Sequence, residues 1–343
     1  MPATSPKSRR SLSILAWGGA GLVLAIVLAL ALALALGGPT PLPTKHSVAD
    51  PFVGVDFRGM PALSRFTARD GAALAYRAYP PAEGQPARGS VMLVHGSSAN
   101  SRSVDPLARS FAEAGFAVYA FDIRGHGESG RRGHIGYIGQ LEDDLEDFMR
   151  SVPPGPGPKT LVGFSSGGGF ALRVAGGSRQ GLFDNYLFMS PYVHYKAATA
   201  RSGDAAGWAS VGMPRMVALV MLNAAGVTAL NDLEVVDFAV NPNPQAQLTS
   251  SYSYALAANF QPRDDYRAGL RAITRPAAVI AGRDDEIFHA DKFRQVFDEA
   301  GRTDIPVTLV PATGHIALTL SPAGRAAAVA AVQRLGDASG NAH

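Results

Sequence analysis

A serine between glycines lies where a predicted strand meets a predicted helix. Residues 163–167 (GFSSG) have the pattern G-x-S-x-G, at the end of the apolar run 160–164 and before a helical pattern that begins at Phe170. A serine on such a sharp turn exposes its hydroxyl at the end of the strand, where it can attack an acyl carbon. The pattern alone is common in glycine-rich loops. Its placement between strand and helix favours Ser165 as a nucleophile over an incidental serine in a turn.

A nucleophilic serine requires two partners, because its hydroxyl is weakly reactive by itself. An imidazole must lie within hydrogen-bond reach, and a carboxylate must fix the tautomer of that imidazole. Where the serine lies on such a strand-to-helix turn, the three residues follow the chain order serine, acid, histidine. Residues 282–286 (GRDDE) follow the strand pattern 277–281 and offer three carboxylates, while His315 follows the strand pattern Val307–Val310. We expect one of these acids and His315 to complete the site.

A second turn supplies groups that could bind an oxyanion. Residues 95–97 read His-Gly-Ser at the end of the predicted strand Ser90–Val94. In such an arrangement an amide from this loop joins the amide of the residue after the nucleophile. The candidates are the backbone N–H groups of Ser97 and Ser166, and each such donor contributes about 3 kcal/mol to transition-state stabilisation. We expect His95 to hold the loop rather than to act as an acid or base.

The composition argues against several other sites and partners. The chain has no cysteine, which removes disulfides, thiolate catalysis and cysteine-ligated metals. A group of acids and one histidine near the strand pattern 277–281 lacks the spacing of a metal motif, so we expect no metal and no cofactor. This group comprises Asp284, Asp285, Glu286, His289 and Asp291.

The charge distribution predicts no nucleic-acid partner. Lys7, Arg9 and Arg10 account for three of the 31 basic residues and lie in a segment without acids, so the remaining 28 basic residues equal the 28 acidic ones. A nucleic-acid binder is expected to carry a basic face on its folded domain. The sequence leaves the oligomeric state open.

Residues 12–36 form a run of 25 residues that has no charged side chain and is apolar apart from Ser13. As a helix it would be about 37 Å long, enough to cross a hydrocarbon core of about 30 Å with some tilt. The basic tail 1–11 precedes it, which favours a cytoplasmic N-terminus by the positive-inside rule. The sequence predicts a single-pass anchor in the cell membrane, a linker at 37–61 and an exported domain at 62–343.

A cleaved signal peptide is the alternative for this segment. Ala33 and Ala35 are small residues at the spacing that signal peptidase prefers. The apolar run is much longer than the roughly 7–15 residues of a usual signal peptide, which favours an uncleaved anchor. Under both interpretations the domain that follows is exported.

Strand and helix patterns alternate through the exported domain. Further strands are predicted at 63–66, 74–78, Ala117–Phe121 and 186–189, and helices at 103–114 and 141–152. This alternation implies a mostly parallel sheet with helices on both faces. We expect the acids of helix 141–152 to form a solvated face; they are Glu142, Asp143, Asp144, Glu146 and Asp147.

Residues 192–262 interrupt this alternation. They show no clear buried strand and contain a helix-prone stretch at 214–225. We interpret them as an inserted helical cap over the carboxyl edge of the sheet.

The chain also resembles a known family. Residues 121–130 (FDIRGHGESG), then 132–134 (RGH) and the acidic helix, are similar to a segment shared by monoacylglycerol lipases, lysophospholipases and serine-aminopeptidase-like hydrolases. The His-Gly loop, the G-x-S-x-G turn, a G-x-x-D turn and a terminal Gly-His follow in the same order. The resemblance covers about 62–335 and implies the α/β-hydrolase fold.

This resemblance assigns roles to three residues. It implies Ser165 as nucleophile, Asp285 as the acid, through the G-x-x-D match from Gly282, and His315 as base. Many relatives have His-Ser-Met around the nucleophile, where this chain has residues 164–166 (FSS). The departure leaves the three roles intact and weakens the case for a monoacylglycerol lipase in particular.

Three functional hypotheses follow. The first is hydrolysis of a small-molecule or lipid-like ester, such as a lysophospholipid or monoacylglycerol, through an acyl-enzyme intermediate. The second is an aminopeptidase or amidase, which would need an acid in the cap to hold the substrate amine. The third is a non-catalytic, membrane-tethered binding module. The acids available for the second are Asp204, Asp232, Glu234 and Asp237.

Overall fold

The computed structural model describes residues 6–43, 52, 54–81, 86–201, 207–240 and 247–340. The strands in these residues are β1 (Leu63–Thr67), β2 (Ala73–Tyr79), β3 (Ser90–Val94), β4 (Ala117–Phe121), β5 (Lys159–Phe164), β6 (Asn185–Met189), β7 (Ala209–Val211), β8 (Glu234–Phe238), β9 (Ser251–Ser253), β10 (Ala277–Gly282) and β11 (Val307–Val310). The α-helices are α1 (Pro6–Leu36), α2 (Asp105–Glu113), α3 (Gln140–Ser151), α4 (Ser166–Ala175), α5 (Met213–Ala224), α6 (Tyr254–Asn259), α7 (Tyr266–Arg271), α8 (Phe293–Glu299), α9 (Ala317–Leu320) and α10 (Pro322–Gly340).

Eight of the strands form a central sheet in the order β1-β2-β4-β3-β5-β6-β10-β11. Strand β2 runs antiparallel to β1 and β4, and the other neighbouring pairs are parallel. Strands β3, β6 and β10 are buried along their whole length, as expected for strands covered on both faces. The predicted mostly parallel sheet is confirmed.

Alternate side chains of the central strands face two separate helical layers. In β3, Met92 and Val94 belong to a core that includes Phe148 of α3 and Phe170 of α4. The intervening Val91 and Leu93 belong to a second core, which α2 and α10 complete on the other face. Helices therefore cover both faces, and the carboxyl ends of the parallel strands meet at one edge of the sheet.

The cap segment contains a small antiparallel sheet that the sequence did not indicate. Strand β8 pairs with β7 on one side and β9 on the other. The cap is therefore not purely helical: it combines these three strands with α5, which coincides with the predicted helix at 214–225. Strands β7 and β9 have three residues each and β8 is only partly buried, so none of them produces a detectable apolar run.

The acids of α3 also differ from the prediction, because three of them are buried. Glu142 pairs with Arg173 of α4 at 2.6 Å, with both side chains less than a tenth exposed. Asp144 pairs with Arg124 at 2.7 Å, and Asp147 with Arg69 at 3.0 Å. A charge that leaves water needs a partner, and each acid has an arginine. The expected solvated face is wrong for these three residues.

The apolar helix α1 ends against the cap. Its segment Gly19–Leu36 is exposed and is long and apolar enough to cross a membrane, a property that N-terminal signal sequences share. The guanidinium of Arg215 in α5 donates hydrogen bonds to the carbonyl oxygens of Leu34, at 2.8 Å, and Ala35, at 3.2 Å. These are carbonyls of the last helical turn, which an α-helix leaves without internal partners.

The chain that follows α1 continues along the cap. The N–H of Thr40 donates to Ser210 Oγ at 3.1 Å, and the N–H of Leu42 donates to Asp237 Oδ2 at 3.1 Å. The start of the predicted linker is therefore bonded to β7 and β8.

The buried pair between α3 and α4 can be tested by removing one partner. We expect Glu142→Ala to lower the free energy of unfolding by about 3–5 kcal/mol, because Arg173 would remain buried and unpaired. Glu146→Ala is the matched control on the same helix; Glu146 is about a third exposed, and its loss should cost no more than about 1 kcal/mol. Urea unfolding of both variants measures the difference. Equal losses would contradict a special role for the buried pair.

Candidate active site

Ser165 lies on the turn between β5 and α4 in a conformation that L residues rarely adopt, with φ 55° and ψ −120°. Its N–H donates to the carbonyl oxygen of Met189 at 3.0 Å. A Cβ at Gly163 would overlap the carbonyl oxygen of Gly167, and a Cβ at Gly167 would overlap that of His95. Close backbone contacts therefore require glycine at both positions, and they hold the turn that presents the Ser165 hydroxyl.

Helix α4 begins earlier than the sequence predicted. It starts at Ser166, so glycines 167–169 lie in its first turn instead of in a loop that extends to Phe170. Glycine has a low helix propensity, which hides the start of the helix from pattern analysis. The amide of Ser166 consequently lies at the N-terminus of a helix, where N–H groups lack partners within the helix.

The structure brings Ser165, His315 and Asp285 together at the carboxyl edge of the sheet. His315 Nε2 lies 3.0 Å from Ser165 Oγ, and His315 Nδ1 lies 2.8 Å from Asp285 Oδ2. His315 is 5% exposed, and its ring packs against those of Phe164 and Phe288, with ring centroids 4.8 and 5.2 Å away. This packing leaves the ring little freedom to turn away from the serine.

Asp285, and not the adjacent Asp284, is the carboxylate that contacts His315. Asp285 Oδ1 accepts hydrogen bonds from the N–H groups of Ile287, at 2.9 Å, and Phe288, at 2.8 Å. Burial opposes ionisation of Asp285, but the hydrogen bond from His315 and the backbone donors outweigh it, so its pKa is lowered. Asp284 is exposed. Because a carboxylate with a lowered pKa stays ionised, Asp285 can stabilise a positive charge on the imidazole.

The third acid of this turn has a different position. Glu286 Oε2 accepts the backbone N–H of His315 at 2.8 Å, so it supports the loop that carries the histidine. Within the described residues, no group of three or more histidine, aspartate and glutamate side chains is arranged to hold a metal ion.

The two predicted oxyanion residues also meet. The hydroxyls of Ser97 and Ser166 form a hydrogen bond with each other. Gly96 lies against Ser165, since a Cβ built at this position would be 3.2 Å from Ser165 Cβ. The loop after β3 and the start of α4 thus lie on the same side of Ser165. That the amides of Ser97 and Ser166 bind an oxyanion stays a prediction.

His95 is buried beneath this loop. Its Nε2 accepts the N–H of Ile123 at 3.3 Å, so its Nδ1 carries the proton and donates to the carbonyl oxygen of Gly96 at 2.7 Å. Burial lowers its pKa, so the ring stays neutral. This environment agrees with the expected role in holding the loop.

The cap acids proposed for an amine-binding site are engaged elsewhere. Asp232 lies 2.9 Å from Arg131 and 2.5 Å from His134 Nδ1. Glu234 accepts the hydroxyl of Ser251 at 2.8 Å, and Asp237 accepts the N–H of Leu42. Asp204 lies outside the described residues.

Comparison with known proteins identifies related sequences. A sequence model of the family described as serine aminopeptidase, S33, matches residues 85–319, which include Ser165, Asp285 and His315. A monoacylglycerol lipase from Mycolicibacterium smegmatis is 27% identical over 240 residues, which cover 66% of this chain and 81% of that lipase.

Solved structures have the same fold at lower identity. A soluble variant of monoglyceride lipase from Saccharomyces cerevisiae, in complex with a substrate analogue, has a TM-score of 0.61 at 18% identity and covers 88% of this chain and 99% of its own. A membrane phospholipase A described as a bacterial virulence factor has a TM-score of 0.54 at 17% identity and covers 94% of this chain and 98% of its own. The predicted α/β-hydrolase fold is confirmed, and because the family model matches well over half of the sequence, the chain belongs to the serine aminopeptidase S33 family of α/β-hydrolases.

Proposed function

We propose that this protein hydrolyses carboxylic esters of lipid-like molecules, such as a monoacylglycerol or a lysophospholipid. The observation that carries the proposal is the continuous hydrogen-bonded path from Ser165 Oγ through the His315 ring to Asp285. The similarity to a monoacylglycerol lipase over 240 residues supports a lipid-like substrate. The proposed reaction uses no metal and no cofactor.

In the acylation step, Ser165 Oγ attacks the acyl carbon while His315 Nε2 takes the serine proton. The N–H groups of Ser97 and Ser166 bind the negative charge that develops on the carbonyl oxygen. The bond to the alcohol then breaks, the alcohol leaves with the proton from His315, and the acyl group stays on Ser165. Ionised Asp285 stabilises the imidazolium while it carries that proton.

Deacylation repeats these steps with water as the nucleophile. His315 takes a proton from the water as its oxygen attacks the acyl carbon of the acyl-enzyme. The bond to Ser165 Oγ breaks, the serine oxygen recovers a proton from His315, and the carboxylic acid leaves. One turnover therefore returns every residue to its starting protonation state.

The surroundings of the site support an ester with an apolar acyl group. Phe288 packs against His315, and Tyr192 packs against Phe288 with ring centroids 6.2 Å apart. Apolar surroundings favour an acyl chain by about 0.8 kcal/mol for each buried methylene. An aminoacyl substrate would need a free acid for its amine, whereas the described cap acids already bind other groups of the protein.

We further propose that α1 anchors the domain at the exported face of the cell membrane. Next to the end of α1, helix α5 exposes Met213, Val217, Val220 and Met221. Apart from Tyr137 and Tyr195, the large apolar side chains that the structure describes as exposed all lie on α1 or within 211–230. A contiguous apolar surface of this kind is unfavourable in water and suits a lipid bilayer.

The nucleophile can be tested with Ser165→Ala. We expect kcat for a short-chain ester to fall by on the order of 10⁶, the typical loss when a catalytic serine is removed. Labelling by a fluorophosphonate probe should also disappear. Ser64→Ala, an exposed serine on β1, is the control and should keep both properties. Labelling that persists in folded Ser165→Ala would refute the assignment.

The orienting acid can be tested by comparing two adjacent residues. We expect Asp285→Asn to lower kcat by on the order of 10⁴, because an amide favours the wrong imidazole tautomer. Asp284→Asn alters an exposed side chain and should stay close to wild type. Initial rates on one ester, after circular dichroism has confirmed folding, give the comparison. A larger loss of kcat in Asp284→Asn than in Asp285→Asn would identify Asp284 as the orienting acid.

The substrate class can be tested with a series of substrates on the wild-type enzyme. We expect kcat/KM to rise with acyl chain length among glycerol and lysophospholipid esters, because the site is surrounded by apolar groups. Aminoacyl amides are run alongside. Faster turnover of amides than of all esters would favour the aminopeptidase hypothesis.

The proposed topology can be tested by protease accessibility. A protease added to spheroplasts should digest the hydrolase domain while cytoplasmic control proteins stay intact. Protection of the domain would contradict its export. Sequencing the mature N-terminus separates the two interpretations of α1, because a new terminus near Gly37 would mean a cleaved signal peptide.

A further inference from the structure

Tyr252 is a cap residue whose side chain reaches the loop that carries Ser97. It lies on β9, is 4% exposed, and packs against His126, with ring centroids 5.2 Å apart, and against Phe238, at 4.7 Å. Its hydroxyl lies between two loops of the central domain, one after β3 and one after β4. Nothing in the sequence pattern distinguished this tyrosine.

The Tyr252 hydroxyl forms hydrogen bonds to Ser98 and His126, and the side chain of Ser97 also interacts with it. Tyr252 Oη lies 2.7 Å from the backbone nitrogen of Ser98 and 2.6 Å from His126 Nε2. An amide N–H can only donate, so Tyr252 Oη accepts from Ser98 and uses its own proton for His126 Nε2. Burial keeps the pKa of His126 well below its usual value, so the ring is neutral and can accept.

Ser98 is held in an unusual conformation at this point. Its φ is 64°, in the left-handed region that residues other than glycine rarely adopt. Ser98 Oγ donates to the carbonyl oxygen of Thr249, and the N–H of Thr249 donates to the carbonyl oxygen of Ser98 at 2.8 Å. Such a conformation persists only where the surroundings hold it from several sides, and here Thr249 and Tyr252 of the cap supply those contacts.

The position of Ser98 restrains the residue before it. The Cα of Ser97 and the nitrogen of Ser98 lie in one planar peptide unit, so fixing the Ser98 nitrogen fixes one end of Ser97, and only the φ and ψ of Ser97 separate that plane from the Ser97 N–H. We propose that Tyr252 is a positioning residue, which keeps the Ser97 N–H directed at the oxyanion by holding the N–H of Ser98. This inference rests on the proposed ester hydrolysis. One of the two N–H donors of the proposed oxyanion site then depends on a hydroxyl from the cap.

The test is Tyr252→Phe, which removes one oxygen and keeps the ring. We expect kcat to fall about 10- to 100-fold with KM little changed, less than the roughly 10²–10³ loss of a complete oxyanion donor. The affinity for a trifluoromethyl ketone, whose adduct with Ser165 carries an oxyanion, should fall by the same factor as kcat/KM. The affinity for an unreactive ether analogue of the substrate should stay the same.

Tyr186→Phe is the matched control. Tyr186 is a fully buried residue on β6, and its hydroxyl donates to the carbonyl oxygen of Gln180 at 2.8 Å, a contact unrelated to Ser97. Tyr186→Phe loses one hydrogen bond and Tyr252→Phe loses those to Ser98 and His126, but only Tyr252→Phe should lose kcat and affinity for the ketone. A kcat of Tyr252→Phe within twofold of wild type, or an equal loss in both variants, would overturn the inference.

A second variant covers the case in which Tyr252→Phe does not fold. Replacing Tyr252 by 3-fluorotyrosine retains the hydroxyl and weakens its oxygen as an acceptor for the Ser98 N–H. We expect kcat and ketone affinity to fall together, and an unchanged kcat would contradict the proposal. Failure of the proposed function itself would be recognised separately, because wild-type protein would then neither hydrolyse esters nor react with a fluorophosphonate at Ser165.

Discussion

The backbone turn at Ser165 is the constraint on which the rest of the site depends. A positive φ at a residue with a side chain is unfavourable, and it is maintained here by contacts on three sides: β6 through Met189, the loop after β3 against Gly167, and α4 starting at the next residue. The same contacts bring Gly96 against Ser165. One strained residue thereby sets the distance between the Ser165 hydroxyl and the loop that carries Ser97.

Elements at the centre of the sheet could be predicted from the sequence, because their physical signal is local. Strands β3, β6 and β10 are buried on both faces and therefore appear as continuous apolar runs. Ser165 follows β5, which is buried along nearly its whole length, and His315 follows the short apolar strand β11, which is only partly buried. Among three adjacent carboxylates, the G-x-x-D match from Gly282 favoured Asp285, and the geometry places Asp285 against the imidazole.

Other features could not be predicted, because they depend on contacts between distant parts of the chain. From the sequence, Glu142 resembles a surface residue, because its partner Arg173 lies on a different helix, α4. The strands of the cap are three to five residues long, which is too short for a recognisable alternation of apolar and polar residues. Tyr252 has neighbours from two other loops, and no local pattern indicates that its hydroxyl would meet Ser98 and His126. Charge pairing, short strands and buried hydroxyls share this dependence on the complete fold.

The contact between Arg215 and the last turn of α1 has a consequence for how the molecule moves. A flexible connection would let the hydrolase domain tumble at a variable distance from its anchor, with all orientations sampled. Here the helix end is bonded to α5, and Thr40 and Leu42 are bonded to β7 and β8. These hydrogen bonds tie the cap to the end of α1 and restrain the orientation of one relative to the other. In the proposed anchored state, rotation about the membrane normal remains free, whereas the height and tilt of the catalytic edge are set by the helix.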